Sequence, residues 1–395
     1  MAESFRILTL NNIARVGLDR FPAGHYEVGS KVTDPDAIVV RSHDMHALEI
    51  SPRVRAIGRA GAGTNNIPVK AMSARGVPVF IAPGANANAV KDLVIAGMLI
   101  AARNLLPATR FVDGLAGNDE TINTAVEDGK KNFAGVELPQ HTLGVIGLGK
   151  IGSLVADTAI KLGMHVLGYD PYITVDAAWG LPAQVGKANS VEEVLKAADF
   201  VTLHVPYVEA TKNLINAERL ALMRGNATLL NFSRDGIVDN TAVLAALAAK
   251  KLQSYVCDFP AQALLGKSGV IALPHLGAST REAEDNCAVM VVDQLRDYLE
   301  HGNVRNAVNF PDVVMPRESD FRVGIANSNV PKMLGQISTA MADAGLNIHN
   351  MLNKSKSEMA YTLVDVDSAV SAQVVERIAA IKGVLAVRYL PLAKA

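Results

Sequence analysis

Glycines at 147, 149 and 152 and the carboxylate of Asp170 are spaced as a pyrophosphate cradle and a sugar ligand would need. The stretch 142–170, TLGVIGLGKIGSLVADTAIKLGMHVLGYD, reads as a short apolar strand (143–146), a glycine turn, a helix and a second strand (166–169) closed by Asp170. Ile151, Leu154, Val155, Ala159 and Leu162 fall on one face of that helix. Gly147 permits the tight turn, Gly149 lets the backbone approach a pyrophosphate, and Gly152 lets the helix pack closely on the strand. Phosphates then meet free N–H groups at a helix N-terminus. Asp170 lies 23 residues after Gly147, where it can accept from a ribose 2′-OH and repel a 2′-phosphate, favouring NAD over NADP. A second glycine run, GRAGAG at 58–63, also follows an apolar strand (54–57). About 20 residues further on it offers Val79, Phe80, Ile81 and Ala82 and no acid, so it is expected to hold something smaller.

Hydride transfer asks little more of a protein than an anchor for the substrate, an acid/base beside the reacting oxygen, and a group that holds that base. Arg234, in NFSRDG, can grip a carboxylate with two parallel hydrogen bonds and polarise a neighbouring carbonyl. His275, in PHLGAST, can exchange a hydroxyl proton near neutral pH. Taken singly, the arginine could be a salt-bridge partner of Asp235 or Asp239 and the histidine a helix N-cap. Together, downstream of a dinucleotide fold, they point to catalysis. Arg41 with Ser42, and Arg59 with Gly61 and Gly63, each follow a buried-looking strand and sit beside small residues that expose backbone N–H groups to an anion. The alternative for both arginines is a solvated surface charge.

The elements that must position these groups are α/β in rhythm. From about residue 5 to 106, apolar strands (7–10, 37–40, 54–57, 77–81) alternate with helical segments, which implies a small parallel unit. Residues 86–105 form a long helix whose face is Val90, Leu93, Val94, Gly97, Met98 and Ala101, fit to pack on the dinucleotide unit or on a second subunit. Further strand and helix signals at 200–204, 216–223, 227–232, 240–250, 254–258 and 270–273 fit a six-stranded doubly wound sheet. Right-handed crossovers then bring Arg234, Asp258 and His275 to the edge that carries Gly147. The lone Trp179 is assigned to packing. A long helix (279–301) leads into a stretch with prolines and charges, 303–320, that reads as a linker. From 321 to 395 the order β-α-β-β-α-β predicts a separate ferredoxin-like module.

The chain has 395 residues, 49% of them hydrophobic and 19% charged, with a net charge of −1, which suits two or three globular domains and argues against a nucleic-acid coat. The longest apolar run, 93–102, is too short to span a bilayer, and the N-terminus lacks a signal-peptide core. Cys257 and Cys287 match no metal spacing and no disulfide framework, so no metal is expected and a reducing cytoplasm is the simplest setting.

The motifs GLGKIG with Asp170, LHVPYVEAT, NFSRDGIVD, CDFPAQALL, PHLGAST, RAGAGTNN and PGANANAVKDL together resemble the D-2-hydroxyacid dehydrogenase family. The whole length is similar to its short-type branch, which acts on D-3-phosphoglycerate and ends in an ACT domain. The resemblance implies a Rossmann dinucleotide domain (106–282), a flavodoxin-like substrate domain (1–105 with 283–310) and an ACT-like regulatory module (318–395). It implies NAD-dependent oxidation of 3-phosphoglycerate at the entry to serine biosynthesis, and a homodimer or homotetramer. The alternatives are a hydroxypyruvate, glyoxylate or other 2-keto acid reductase and a non-catalytic NAD-sensing protein. Arg234 and His275 match the family's substrate arginine and acid/base. Arg41, Ser42, Arg59, Gly61 and Gly63 match its substrate loops. Lys150, Ile151, His204, Pro206, Thr211, Phe232, Ser233, Asp258 and Gly277 join the three glycines and Asp170 as cofactor contacts.

The family's glutamate partner of the histidine falls on Gln262. Its carbonyl oxygen can still accept from the ring, but its missing charge stabilises an imidazolium less, so weaker ketone reduction near neutral pH is expected. Asp235 stands where relatives carry glycine. Asn329 and Asn347 fall where relatives bind serine. Asn327 replaces a histidine, and Lys332 a glycine.

Overall fold

The computed structural model describes residues 4–392. The chain forms two compact units, one made of residues up to Asn86 and from Arg281 onward, the other of Ala87–Thr280.

In the first unit, β1 (Phe5–Leu10), β2 (Tyr26–Gly29), β3 (Ala37–Val40), β4 (Ala56–Arg59) and β5 (Val79–Ile81) make a parallel sheet in the order β2-β1-β3-β4-β5. Strand β3 is AIVV and wholly buried, as a parallel strand covered on both faces must be. The helix Arg281–His301 returns to cover this sheet. It comes so close that a Cβ on Gly58 would meet Val291 and Leu295 side chains at 2.7 Å.

In the second unit, β6 (Thr142–Ile146), β7 (His165–Tyr169), β8 (Val185–Lys187), β9 (Phe200–Leu203), β10 (Ala227–Asn231), β11 (Leu252–Cys257) and β12 (Val270–Ala272) form a parallel sheet in the order β12-β11-β10-β9-β6-β7-β8. The sheet has seven strands rather than six. The extra one, β8, is VGK and only partly covered, so it carries no apolar run to betray it. Strand order reverses between β6 and β9, which makes their carboxyl ends the switch point where ligands gather. The helix Ala87–Ala102 packs in this unit. A Cβ on Gly97 would lie 2.9 Å from Phe232 and 3.1 Å from Val256, so the helix rests on the second sheet, one of the two partners expected for its apolar face, and belongs with residues 87–280 rather than with the first segment. Trp179 does not pack: it is 84% exposed at the end of the short helix Val175–Trp179.

The last 75 residues supply β13 (Phe321–Ser328), β14 (Ile348–Lys356), β15 (Met359–Val366) and β16 (Val384–Pro391), with helices Met333–Asp343 and Ala372–Ala379. They form the expected β-α-β-β-α-β order and an antiparallel sheet, β14-β15-β13-β16. The helices cover one face through Val323, Ile325, Ile337, Met341, Val364 and Ile378.

The other face does not hang from a linker. Val304, Ala307, Phe310, Val313 and Met315 are buried in one core with Tyr298, Ala326, Tyr361 and Leu363, so 303–320 is interior structure and the linker reading is corrected. At its centre, Arg322 and Asp365, both with no exposed side-chain area, form a two-point ion pair at 2.6 and 2.8 Å. The same guanidinium donates to the carbonyls of His301, Met315 and Pro316. Among the described residues no helix is long and apolar enough to cross a membrane.

Candidate active site

The glycine turn after β6 is built as its spacing demands. Gly147 has φ +92°, and a Cβ there would stand 2.4 Å from the His204 carbonyl oxygen. A Cβ on Gly152 would lie 1.9 Å from the Gly147 oxygen, whereas one on Gly149 would meet no atom within 4 Å. Two glycines are thus required by packing, and the third leaves open space above the start of the helix Lys150–Lys161. No hydrogen bond among the described residues takes up the N–H groups of Gly149, Lys150 or Ile151. Asp170, just past β7, accepts from Leu148 N–H and from Tyr172 N–H, both at 2.9 Å, so it also ties the turn down. Each carboxylate oxygen keeps a further lone pair for a hydroxyl. Beside it lies a cavity of about 500 Å³ walled by Leu148, Tyr169, Ile173, Leu181 and Val185. An open glycine, unpaired N–H groups, a carboxylate and an apolar slot fit a dinucleotide.

Along the same carboxyl edge, buried Asn231 organises the loop after β10. Its Oδ1 accepts from Ser233 N–H at 3.2 Å and its Nδ2 donates to the Arg234 carbonyl at 3.0 Å. The Ser233 hydroxyl donates to Val205 O at 2.5 Å, and Phe232 is buried against the sheet. Arg234 is exposed, its Nη1 donating, among the described residues, only to the adjacent Ser233 carbonyl at 2.7 Å. Among the described residues neither Asp235 nor Asp239 pairs with it. Asp239 instead caps the helix Asn240–Ala248. His275, three residues past β12, is exposed and is no helix cap, since the next helix starts at Arg281. Its ring stands edge-on to Phe259 at 5.0 Å between centroids.

Asp258, just past the end of β11, is 1% exposed, and its Oδ1 has no partner among the described residues. Burial pushes its carboxyl above the usual range, opposed by the nearby His275 and Arg234. Those opposing charges tie the three groups into one electrostatic cluster. Gly277 adjoins it, a Cβ there falling 3.6 Å from Asp258 Oδ2. Gln262 behaves differently from the sequence expectation. It opens the short 3-10 turn Gln262–Leu264, is exposed, and among the described residues makes no hydrogen bond to His275. His204 lies against Thr202 Oγ1 at 3.0 Å, and desolvation lowers its pKa to about 3, so the ring is neutral. The Thr211 hydroxyl donates to Pro206 O at 2.6 Å and accepts from Val208 N–H at 2.9 Å, closing the 206–211 turn.

The anion loops lie on the first unit. Arg41 and Ser42 follow β3, and Arg59 to Gly63 run on from the end of β4. Ser42 N–H and His43 N–H both donate to Asn11 Oδ1, at 3.1 and 2.5 Å. Asn66 Nδ2 donates to the carbonyls of Arg41 and His43. Arg59 Nε donates to the Arg41 carbonyl at 3.2 Å, which joins the two loops. Gly61, at φ +153°, lies under that guanidinium, where a Cβ would fall 2.0 Å from Nη1. Gly63 is nearly open. Arg41 is not a free surface charge: its Nη2 sits 2.7 Å from Glu284 Oε1, in the first turn of the helix Arg281–His301. Asn11 and Glu284 escaped the sequence reading because no motif or spacing ties them to these loops, and Asn66, though it closes the RAGAGTNN run, was given no role there.

In the terminal module, Asn327 is 1% exposed on β13 with its Oδ1 unpartnered. Asn329 and Asn347 are exposed, the first donating to Ser357 O and the second, through its N–H, to Asp367. Lys332, at φ +67°, holds a left-handed position that glycine would occupy without strain.

A family model described as "D-isomer specific 2-hydroxyacid dehydrogenase, NAD binding domain" matches residues 95–277. A D-3-phosphoglycerate dehydrogenase of Methanocaldococcus jannaschii is 34% identical over 330 residues, covering 81% of this chain and 60% of that protein. The corresponding enzyme of Haemophilus influenzae is 33% identical over 355 residues, covering 87% of this chain and 83% of that one. This chain therefore spans under two thirds of the first relative and most of the second. Among solved structures, the TT0316 protein of Thermus thermophilus superposes with a TM-score of 0.62 at 27% identity, over 77% of this chain and 99% of its own.

Proposed function

Because the chain belongs to the D-isomer specific 2-hydroxyacid dehydrogenase family, we propose that it oxidises D-3-phosphoglycerate to 3-phosphohydroxypyruvate with NAD, the first step of L-serine biosynthesis. The observation that carries this reading is the placement of an open glycine turn, Asp170, Arg234, Asp258 and His275 on one carboxyl edge of a doubly wound sheet. Bound NAD supplies the hydride acceptor. The chain's own groups do the rest. Arg234 binds the substrate carboxylate and polarises the oxygen on carbon 2. His275 takes the hydroxyl proton as the carbonyl forms and returns it in reduction. Asp258 would stand by the nicotinamide carboxamide of bound NAD, and Asp170 would hold its adenosine ribose. Arg41, Ser42, Arg59, Gly61 and Gly63 hold the substrate's anionic groups.

The terminal module serves as an ACT-like regulatory domain, with L-serine as its effector at Asn329 and Asn347. The protein works as a homodimer or homotetramer in a reducing cytoplasm, where its buried thiols stay free. A second reading, reduction of an unphosphorylated 2-keto acid such as hydroxypyruvate or glyoxylate, is favoured by the carboxylate already paired with Arg41.

Steady-state turnover of a panel of D-2-hydroxy acids with NAD, with and without serine, tests the assignment. The highest kcat/KM is expected for 3-phosphoglycerate, and no turnover of any acid would leave only a binding protein. Gln262→Glu is expected to carry ketone reduction to higher pH. A carboxylate near His275 stabilises the imidazolium that donates the proton, so the alkaline fall of the rate moves upward. An unchanged pH–rate profile would remove position 262 from the acid/base set.

A further inference from the structure

The Arg41–Glu284 ion pair lies inside the loop cluster assigned to the substrate's anionic group, and that assignment gives it a consequence. Arg41 is pinned through its backbone: its carbonyl takes Arg59 Nε at 3.2 Å and Asn66 Nδ2 at 3.3 Å. The direction of its guanidinium is then set by Glu284, 2.7 Å away. Glu284 itself lies in the N-terminal turn of the helix Arg281–His301, where the helix dipole favours an acidic side chain. Arg41 and Arg59 bring two guanidiniums to the loops, and the carboxylate paired with Arg41 offsets part of its charge. A site reduced in this way suits a carboxylate monoanion better than a phosphate dianion. A phosphate dianion entering the same loops must share Arg41 with Glu284 and meets that carboxylate's repulsion across the guanidinium.

We propose that Glu284 is a specificity-determining residue, which fixes the direction of Arg41 and weakens the hold of the 41–42 and 59–63 loops on phosphate relative to carboxylate. This rests on the reading of those loops as the substrate-anion site. It makes position 284 the control on how far the enzyme prefers 3-phosphoglycerate over unphosphorylated D-2-hydroxy acids. Both side chains are about one third to two fifths exposed, at 34% and 42%, so solvent screens the effect.

The test compares the full-length wild type with Glu284→Gln and Glu284→Asp, using 3-phosphoglycerate and D-glycerate at low and moderate salt. Glu284→Gln keeps an oxygen to orient Arg41 but drops the charge. Its KM for 3-phosphoglycerate is expected to fall about three- to tenfold, its KM for D-glycerate to move less than about twofold, and the difference to shrink as salt rises. The effect falls on KM far more than on kcat, because the proton and hydride steps belong to Arg234 and His275. Glu284→Asp retains the charge and should follow the wild type. The proposal is overturned if Glu284→Gln leaves the 3-phosphoglycerate KM unchanged or raises it, if both substrates shift alike, or if Glu284→Asp behaves as Glu284→Gln does. Wild-type enzyme that turns over other D-2-hydroxy acids but not 3-phosphoglycerate would instead sink the substrate assignment itself.

Discussion

His275→Asn is expected to lower kcat in both directions by about 10²- to 10⁴-fold, the usual contribution of a positioned acid/base, while NADH binding by fluorescence stays within about threefold. Asparagine keeps a polar side chain at the mouth of β12 but cannot exchange a proton at neutral pH, so the loss isolates proton transfer from binding. The ring's surroundings make the separation clean. His275 is exposed and touches Phe259 edge-on, with no buried hydrogen-bond network that the substitution would tear open. The residual rate should also lose the pH dependence of the wild type, since the group that gives and takes the proton is gone. A variant that keeps kcat within tenfold of the wild type, or keeps the wild-type pH limb, would show that another group moves the proton. Asp258 is the one to examine next, being buried in the same electrostatic cluster with an unpartnered oxygen.

What the sequence disclosed of this site is what can be written within one strand–turn–helix. The Gly147, Gly149, Gly152 and Asp170 pattern was legible because each residue's duty is settled within about 20 neighbours, and the structure finds two of the glycines packed to 2.4 Å or closer. Arg234 and His275 were legible at one remove: parallel strands force the residues after β10 and β12 to one edge, whatever the loops do. Glu284 was not. It stands 243 residues from Arg41, in a helix whose own pattern only says that its first turn is acidic. The meeting is decided by a helix returning across a sheet, which no local spacing records. Asn11 and Asn66 read as turn residues between apolar strands, and only the fold shows that Asn11 accepts from Ser42 and His43 N–H while Asn66 donates to the Arg41 and His43 carbonyls.

The stretch 303–320 misled through composition. Its prolines and charges resemble a tether, yet Val304, Ala307, Phe310 and Val313 recur every third residue and all four are buried. That spacing was present in the sequence, but it belongs to neither a helix nor a strand. Its meaning appears only when the open face of the terminal sheet is found covering it. An arginine at the second position of β13 likewise reads as an outward residue of a half-buried strand. It is fully buried because Asp365 lies directly across the antiparallel ladder from it.

That buried pair carries the largest stability prediction. Arg322→Met is expected to cost roughly 3–5 kcal/mol, because removing one partner strands the Asp365 carboxyl in the core without the guanidinium. The geometry argues for the upper part of that range. The guanidinium spends its donors on two carboxylate oxygens and on the carbonyls of His301, Met315 and Pro316, so methionine leaves the carboxylate with only the Glu318 N–H at 3.1 Å and orphans three acceptors. Adding Asp365→Leu should recover part of the loss, since it removes the unpaired carboxyl, but not all of it, since the buried Met315 carbonyl still lacks a donor, at about 1–3 kcal/mol for a buried unmet acceptor, while the part-buried carbonyls of His301 and Pro316 lose theirs at less cost. The measurement is hydrogen exchange in β13 and β15 together with the urea midpoint of the first unit. Protection should fall most in the single variant, partly return in the double, and change little in β6 and β9 of the other sheet. If the single and double variants lose equal stability, the ion pair contributes through its hydrogen bonds to the chain and not through its charge. If neither loses stability, the terminal module is not held by this pair, and its attachment rests on the shared apolar core and on hydrogen bonds such as Tyr361 to the Gly302 carbonyl and Arg388 to the Tyr298 carbonyl.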